Sequence, residues 1–491
     1  MATVFSDNSY ARLPDRFYAR LAPTPVTAPR LVKINRALAL QLGLDPEFLA
    51  SPEGIEILAG NRLAEGSEPI SQAYAGHQFG NWVPQLGDGR AILLGEVADT
   101  DGVRYDIQLK GSGPTPFSRR GDGRAALGPV LREFVVSEAM AALGIPTTRT
   151  LAAVTTGERI LRQEGPLPGA VLTRVSKSHV RVGTFEYFGN QGDTEAVRAL
   201  ADYVIARLYP DVGGMAQPYR ALLDAVIART AELIARWQLV GFIHGVMNTD
   251  NTSIAGETID YGPCAFMDSY DPATVFSSID QGGRYAYGNQ PRIAHWNLVR
   301  FAQALLPLLG ADEDSAIKSA QDAINAYPAR FETAYYAGLR RKFGLTLSQE
   351  GDLALIAEFF KHMVDGRADF TLTFRHLCDS AAGTGEDALR AQFDNAAALG
   401  VWLGKWHARL EQEPVPAADR AAAMRRVNPM FIPRNHRVEA VIAAAQERDD
   451  YAPFDELMTV LSKPYADQPD HAAYAAAPKP DEVVLQTFCG T

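Results

Sequence analysis

Cysteine is scarce. Cys264, Cys378 and Cys489 are the only three in 491 residues, too few and too scattered for a disulfide framework or a C-x-x-C metal site, and a reducing compartment is expected. Positive charge is also short. Against 58 Asp and Glu stand 47 Lys and Arg, a formal net charge of −11, so no broad basic face is expected and nucleic acid is set aside as a partner. No apolar run approaches about 18 uninterrupted residues, which argues against a membrane span. The opening M-A-T-V-F-S-D-N-S-Y has neither a basic start with an apolar core nor an Arg-rich amphipathic pattern, so no export or transit signal is expected and the cytoplasm is the expected location. What remains is ordinary globular composition, 47% hydrophobic and 21% charged, in a chain long enough for two or three lobes. Any anion site must then be a local cluster.

The stretch His244 to Gly262, H-G-V-M-N-T-D-N-T-S-I-A-G-E-T-I-D-Y-G, reads as a catalytic loop. Short β-branched runs on either side of Gly256 predict a tight hairpin ending on Asp260-Tyr261-Gly262. Kinases and small-molecule phosphotransferases hold nucleotide-bound Mg²⁺ with a loop Asn and the Asp of a D-F-G-like tripeptide. Asn251 and Asp260 fit those places, and two hard oxygen ligands suffice because Mg²⁺ takes the others from phosphate and water. Val246 stands where an H-G-D or H-R-D loop has its catalytic Asp, and a valine accepts no proton. The nearest replacement is Asp250, although Asp and Asn in such loops also serve as plain turn residues.

Along the chain, residues 1–73 read as an extension packed on the body, with an amphipathic helix at 31–44. Residues 74–192 read as a small lobe of sheet plus one helix. There A-I-L-L-G-E-V and R-Y-D-I-Q-L-K are strands, and Gly87, Gly89 and Arg90 form a turn that could meet phosphate or simply reverse the chain. Lys110 ends a strand and a helix is predicted over 125–143, so Lys110 and Glu133 are the candidate kinase-type pair, chosen over Glu138. Asp122 and Gly123 lie in the loop between, as a nucleotide cover or a surface turn. Further strands are predicted at 148–155, 158–162 and 169–175, and Arg174, Lys177 and Arg181 make a basic cluster readable as a polyphosphate clamp. Residues 193–480 read as a helical lobe, with helices at about 194–208, 217–240, 295–309, 313–345, 351–364, 384–411 and 436–462, and 481–491 as a tail carrying Cys489.

The strings Y-A-G-H-Q-F-G-N-W-V-P-Q-L-G-D-G-R (74–90), Q-L-K-G-S-G-P-T-P-F-S-R-R-G-D-G-R (108–124), H-G-V-M-N-T-D-N (244–251), I-D-Y-G-P (259–263) and the Cys489 tail resemble the selenoprotein O family over nearly the whole chain. Its bacterial members often carry cysteine where eukaryotic ones have selenocysteine. The resemblance implies an α+β, protein-kinase-like bilobal fold that lacks the usual catalytic Asp and binds ATP reversed in the cleft. It implies transfer of AMP to Ser, Thr or Tyr hydroxyls of proteins, and the expected acceptor is the protein itself or another protein. By the same resemblance Lys110 pairs with Glu133, and Gly87, Gly89, Arg90, Lys110, Asp122, Gly123, Arg174, Arg181 and Asp260 surround the nucleotide. Asn251 and Asp260 hold Mg²⁺, with Mn²⁺ able to replace it, and Asp250 is the proton acceptor. Some members pair the C-terminal cysteine with one further downstream in the activation-like segment. Here the only cysteine in that segment is Cys264, leaving a Cys264–Cys489 bridge as the sole version of that control. The rival readings are a conventional phosphotransferase, which needs a base at Val246, and a nucleotide-binding scaffold, which needs no Asp250.

Overall fold

In the computed structural model, which describes Phe5, residues 7–163 and residues 165–488, the run A-I-L-L-G-E-V-A pairs antiparallel with R-Y-D-I-Q-L-K. Asp99 sets the turn between them, its carboxylate accepting from the backbone N–H of Asp101 (3.0 Å) and Val103 (2.8 Å). In chain order the strands are β1 (Tyr18–Arg20), β2 (Arg30–Ile34), β3 (Ile70–Gln72), β4 (Gly76–Gln78), β5 (Asn81–Val83), β6 (Ala91–Ala98) and β7 (Arg104–Lys110). They continue with β8 (Ala125–Ala126), β9 (Arg149–Arg162), β10 (Gly165–Ser176), β11 (Phe242–Ile243) and β12 (Ala265–Phe266). Among the described residues one antiparallel sheet runs β1-β3-β6-β7-β10-β9-β2, with β8 also paired to β10. The chain is thus α+β. The first 73 residues contribute three strands to this sheet as well as helices that cover it.

Several local expectations are corrected. The helix expected at 31–44 is β2 followed by a short helix, Arg36–Gln41, because L-V-K-I finds the free edge of β9 and Asn35 then caps the helix through Leu38 N–H (3.2 Å). The strands expected at 148–155 and 158–162 are one strand, β9, bent at Gly157 rather than broken there. The hairpin expected about Gly256 does not form. Its two runs pair elsewhere, Ser253 with Arg181 and Thr258 with Thr147, each far away in sequence. The helices at 194–208 and 217–240 are found as Thr194–Leu208 and Pro218–Val240. The long ones expected at 313–345, 384–411 and 436–462 are each divided in two, the last at Asp449 in the left-handed region (φ 54°). No helix among the described residues is long and apolar enough to cross a membrane.

The helix Leu127–Ala142 buries Leu131, Phe134 and Val135 on the sheet and is covered outside by Asn435–Arg448 and Ala452–Leu461, where Phe134 meets Phe454 edge-on at 5.4 Å. Leu38, Leu49 and Leu58 fill another core cluster with Ile92, Leu109 and Val171 of the sheet. A third core forms around Pro218–Val240, through Leu223, Ile227 and Trp237.

The sheet is joined to the helical part by Lys177–Arg181, and beyond exposed Lys177 this joint is buried and mostly polar. His179 Nδ1 lies 3.1 Å from Asp106, which also accepts from Arg207 Nη2 at 2.6 Å. On its other side Glu257 accepts from Ser176 Oγ (2.8 Å) and Lys177 N–H (3.2 Å). Burial pushes the Glu257 carboxyl up to about 7, against the Ser176 bond and Lys177, with Asp106 adding to the rise. Between its unfolded and folded values the native state therefore binds more protons, so stability falls as pH rises from the usual Glu range towards 7. Glu257→Gln keeps the acceptor for Ser176. Its stability relative to the parent should be higher at pH 8 than at pH 5 by on the order of 2 kcal/mol in urea unfolding. Equal differences at the two pH values would show that no such proton is linked to folding.

Candidate functional site

Gly241, in the left-handed region (φ 73°), ends the helix Pro218–Val240 and turns the chain into β11, whose antiparallel pairing with β12 closes the base of the 244–264 loop. Within the loop, buried His244 bonds Ile259 O through Nε2 (2.8 Å) and stacks on Trp237, tying the two limbs together. A single 3₁₀ turn, Thr249–Asn251, presents Asp250 and Asn251. Asn251 Nδ2 donates to Val246 O (3.0 Å), so Val246 orients Asn251 through its backbone and leaves the amide oxygen open.

Asp260 is the meeting point. Its Oδ1 accepts from Lys110 Nζ (3.0 Å) and Arg174 Nη2 (2.6 Å), and its Oδ2 from Arg181 Nη1 (2.8 Å). Burial would raise this carboxyl, yet Arg174, Lys110 and Arg181 together hold it well below the usual carboxylate range. Its backbone is left-handed (φ 62°), a conformation disfavoured for a non-glycine residue and held here by the surrounding bonds. Lys110 Nζ also lies 2.6 Å from Glu133 Oε2, and Arg174 reaches Glu133 Oε1 through Nε (2.8 Å) and Nη2 (2.5 Å). Glu138 instead pairs with Arg149 (2.9 and 2.6 Å). Lys177 is exposed and does not join Arg174 and Arg181, whose guanidiniums are buried.

These groups line a cleft of about 900 Å³. Lys110, Arg174, Arg181, Asp250, Asn251 and Asp260 share it with Gly87, Gly89, Arg90, Asp122 and Gly123; Glu133 stands behind Lys110. Gly87 (φ 84°) and Gly123 (φ 68°) need to be glycine for packing as well: a Cβ would collide with Phe117 at the first and with the Gly113 backbone at the second. Asp122 is exposed and bonded to Arg162 (2.7 and 3.1 Å), at the rim.

Asp250 is buried, and burial pushes its carboxyl up to about 6 although Arg181 and a bond from Gln78 pull the other way. Arg181 Nη1 also donates to Asp250 O (2.6 Å), and Tyr74 lies against the Arg181 guanidinium at 4.7 Å. Asp88, between the two turn glycines, is buried with a raised carboxyl and sits 3.9 Å from Arg181. Tyr74, Gln78 and Asp88 are site residues that motif reading did not single out, although all three lie inside the 74–90 string. Cys264 is a buried free thiol whose pKa burial pushes up to about 12, which keeps it protonated and unreactive; its expected partner Cys489 lies outside the described residues.

As a cation site the arrangement offers hard oxygens, the open amide oxygen of Asn251 and the Asp260 carboxylate, of the kind a divalent ion bound to phosphate requires. Removing Arg174 would leave Glu133 and Asp260 facing each other with Lys110 as their principal shared cation. Arg174→Met should therefore cost about 3–5 kcal/mol of stability, read by chemical denaturation, and more than Lys110→Met. A loss no larger than for Lys110→Met would show that Arg174 is not the chief structural counter-ion.

The family model described as "Protein adenylyltransferase SelO" matches residues 1–462. The chain is 68% identical over 485 residues to the protein nucleotidyltransferase YdiU of Bradyrhizobium sp. (strain BTAi1 / ATCC BAA-1182), covering 99% of this chain and 98% of that one. It is 65% identical over 485 residues to YdiU of Rhodopseudomonas palustris (strain BisB18) and 63% identical over 492 residues to YdiU of Methylorubrum populi (strain ATCC BAA-705 / NCIMB 13946 / BJ001), with 99% of each chain covered in both cases. Given a family match over most of its length and relatives this close end to end, the chain belongs to the SelO family of protein adenylyltransferases.

Proposed function

We propose that this protein is an adenylyltransferase that moves AMP from ATP to hydroxyl groups of proteins, itself among them. The observation that carries the reading is the convergence of Lys110, Arg174 and Arg181 on Asp260 at the cleft, with Asp250 beside them and a valine where a kinase base would stand. Family membership and the names of the relatives support it. The fold is read as a kinase-like pair of lobes, the small one at 74–192 and the helical one at 193–480, with 1–73 and 481–491 as additions.

In this reading the triphosphate lies against Lys110, Arg174 and Arg181, and Asp260 and Asn251 are the residues that would hold a divalent cation. Mg²⁺ is the proposed ion, with Mn²⁺ able to replace it; when bound it neutralises phosphate charge and orients the reacting phosphate. Glu133 keeps Lys110 directed at the cleft. Gly87, Gly89, Arg90, Asp122 and Gly123 surround the rest of the nucleotide, which lies reversed so that its α-phosphorus is the reacting centre. Asp250 takes the proton of the acceptor hydroxyl as its oxygen bonds to the α-phosphorus, and pyrophosphate leaves towards the arginines, where its growing charge is stabilised.

With ATP and Mg²⁺, label should enter protein from the α-phosphate and each event should add the mass of AMP. Label from the γ-phosphate would favour a conventional phosphotransferase, and ATP binding without transfer a scaffold. Asp250→Ala should abolish transfer while leaving nucleotide binding largely intact, because a base acts in the transition state rather than in ground-state affinity. Asp260→Ala should remove transfer by losing the charged cation ligand, and near-normal turnover in that variant would overturn the metal assignment.

A further inference from the structure

The hairpin β4–β5 lies over the catalytic loop and is fastened to the two residues just ahead of Asp250. Its register is Gly76↔Val83, His77↔Trp82 and Gln78↔Asn81, so Phe79 and Gly80 form a two-residue turn with both φ positive, at 52° and 83°. Gly80 adopts this freely and Phe79 does not. The strain is held by the catalytic loop and its neighbour: Phe79 N–H donates to Asn248 Oδ1 (3.0 Å) and to the Tyr285 hydroxyl (3.2 Å), which itself donates to Asn248 Oδ1 (2.6 Å). One residue nearer Asp250, His77 N–H donates to Thr249 Oγ1 (2.7 Å). Between these fastenings Gln78 Nε2 donates to Asp250 Oδ2 (3.3 Å). Asp250 Oδ1 is buried without a hydrogen-bond partner among the described residues, and a Cβ on Gly76 would stand 2.5 Å from it.

We propose that Gln78 is a positioning residue that, with Gly76, fixes the Asp250 carboxylate: Gln78 holds Oδ2, and the missing Cβ of Gly76 gives Oδ1 its place. This rests on the reading of Asp250 as the base. The acceptor O–H bond breaks, its proton goes to the Asp250 carboxylate, and the freed electron pair forms the bond to the α-phosphorus as the bond to pyrophosphate breaks. Gln78 touches the base rather than the reacting atoms. A hairpin held by a strained phenylalanine suits that task, since a carboxylate misplaced by a fraction of an ångström loses much of its advantage.

The test uses the full chain with α-labelled ATP and Mg²⁺, following label into the protein itself and into casein, together with ATP affinity by calorimetry and the thermal midpoint. Gln78→Met keeps length and removes only the donor. Its transfer rate should fall about ten- to a hundred-fold, with ATP affinity and KM within about two-fold and the thermal midpoint unchanged. Gly76→Ala, which crowds the same carboxylate, should show the same pattern of lost rate and kept affinity. A parental rate in Gln78→Met overturns the proposal, as does a raised KM for ATP at unchanged kcat, which would make Gln78 a nucleotide contact, or a rate loss matched by a collapse of the thermal midpoint. Asp250→Ala, run in parallel, separates the two layers. If that variant is active the base reading fails; if it is inactive while Gln78→Met is fully active, only the positioning role fails.

Discussion

A carboxylate taken out of water is stable only if something replaces its hydration, and at Asp260 three side chains do so. Lys110 comes from the end of β7, Arg174 from β10 and Arg181 from the joint after β10, so sheet and joint must be in place before the charge can be accommodated. The desolvation cost of such a cluster is several kcal/mol per ion, offset only by good geometry and by further partners. Glu133 supplies them, engaging both Lys110 and Arg174. Three cations then face two carboxylates held firmly ionised, while burial raises the carboxyls of Asp88 and Asp250 nearby. An acidic protein thus keeps three largely buried cations together at the one place where phosphate is expected, and its net charge of −11 is no guide to that place.

Much of this was legible as letters and little of it as pairing. Lys110 at a strand end and Glu133 on the following helix could be matched because strand and helix periods are local, and the choice of Glu133 over Glu138 turns on one helical turn. Helices with clear stops, such as Pro218–Val240 before Gly241, were equally readable. The Gly256 region misled because its β-branched runs satisfy the hairpin pattern while their true partners, Arg181 and Thr147, are about 70 and 110 residues away. For the same reason Gln78 passed unnoticed: nothing local marks a glutamine as the partner of a carboxylate 172 positions later. Basic letters also overstated one cluster, since alternation along β10 and the bend after it send Arg174 and Arg181 inward and Lys177 outward.

Arg181 bears on how the proposed base can stand at 250 when position 246 is a valine. It is the last residue of the joint, immediately before the helix Val182–Gly189, and its Nη1 bonds both Asp260 Oδ2 and the backbone carbonyl of Asp250. One guanidinium therefore fixes the distance between the proposed cation ligand and the proposed base, and it does so from the segment that joins sheet to helices. Val246 meanwhile contributes its carbonyl, which turns the Asn251 amide so that oxygen is left open. A carboxylate side chain at 246 would enter a cleft already holding Asp250 and Asp260 and would need a counter-ion of its own. Placing the carboxylate at 250 avoids that need, because the cation that orients it is already bound to Asp260. Any change in the joint that moves Arg181 must then alter Asp250 and Asp260 together, which ties the sheet-to-helix connection to the proposed base and cation ligand rather than leaving it a passive link.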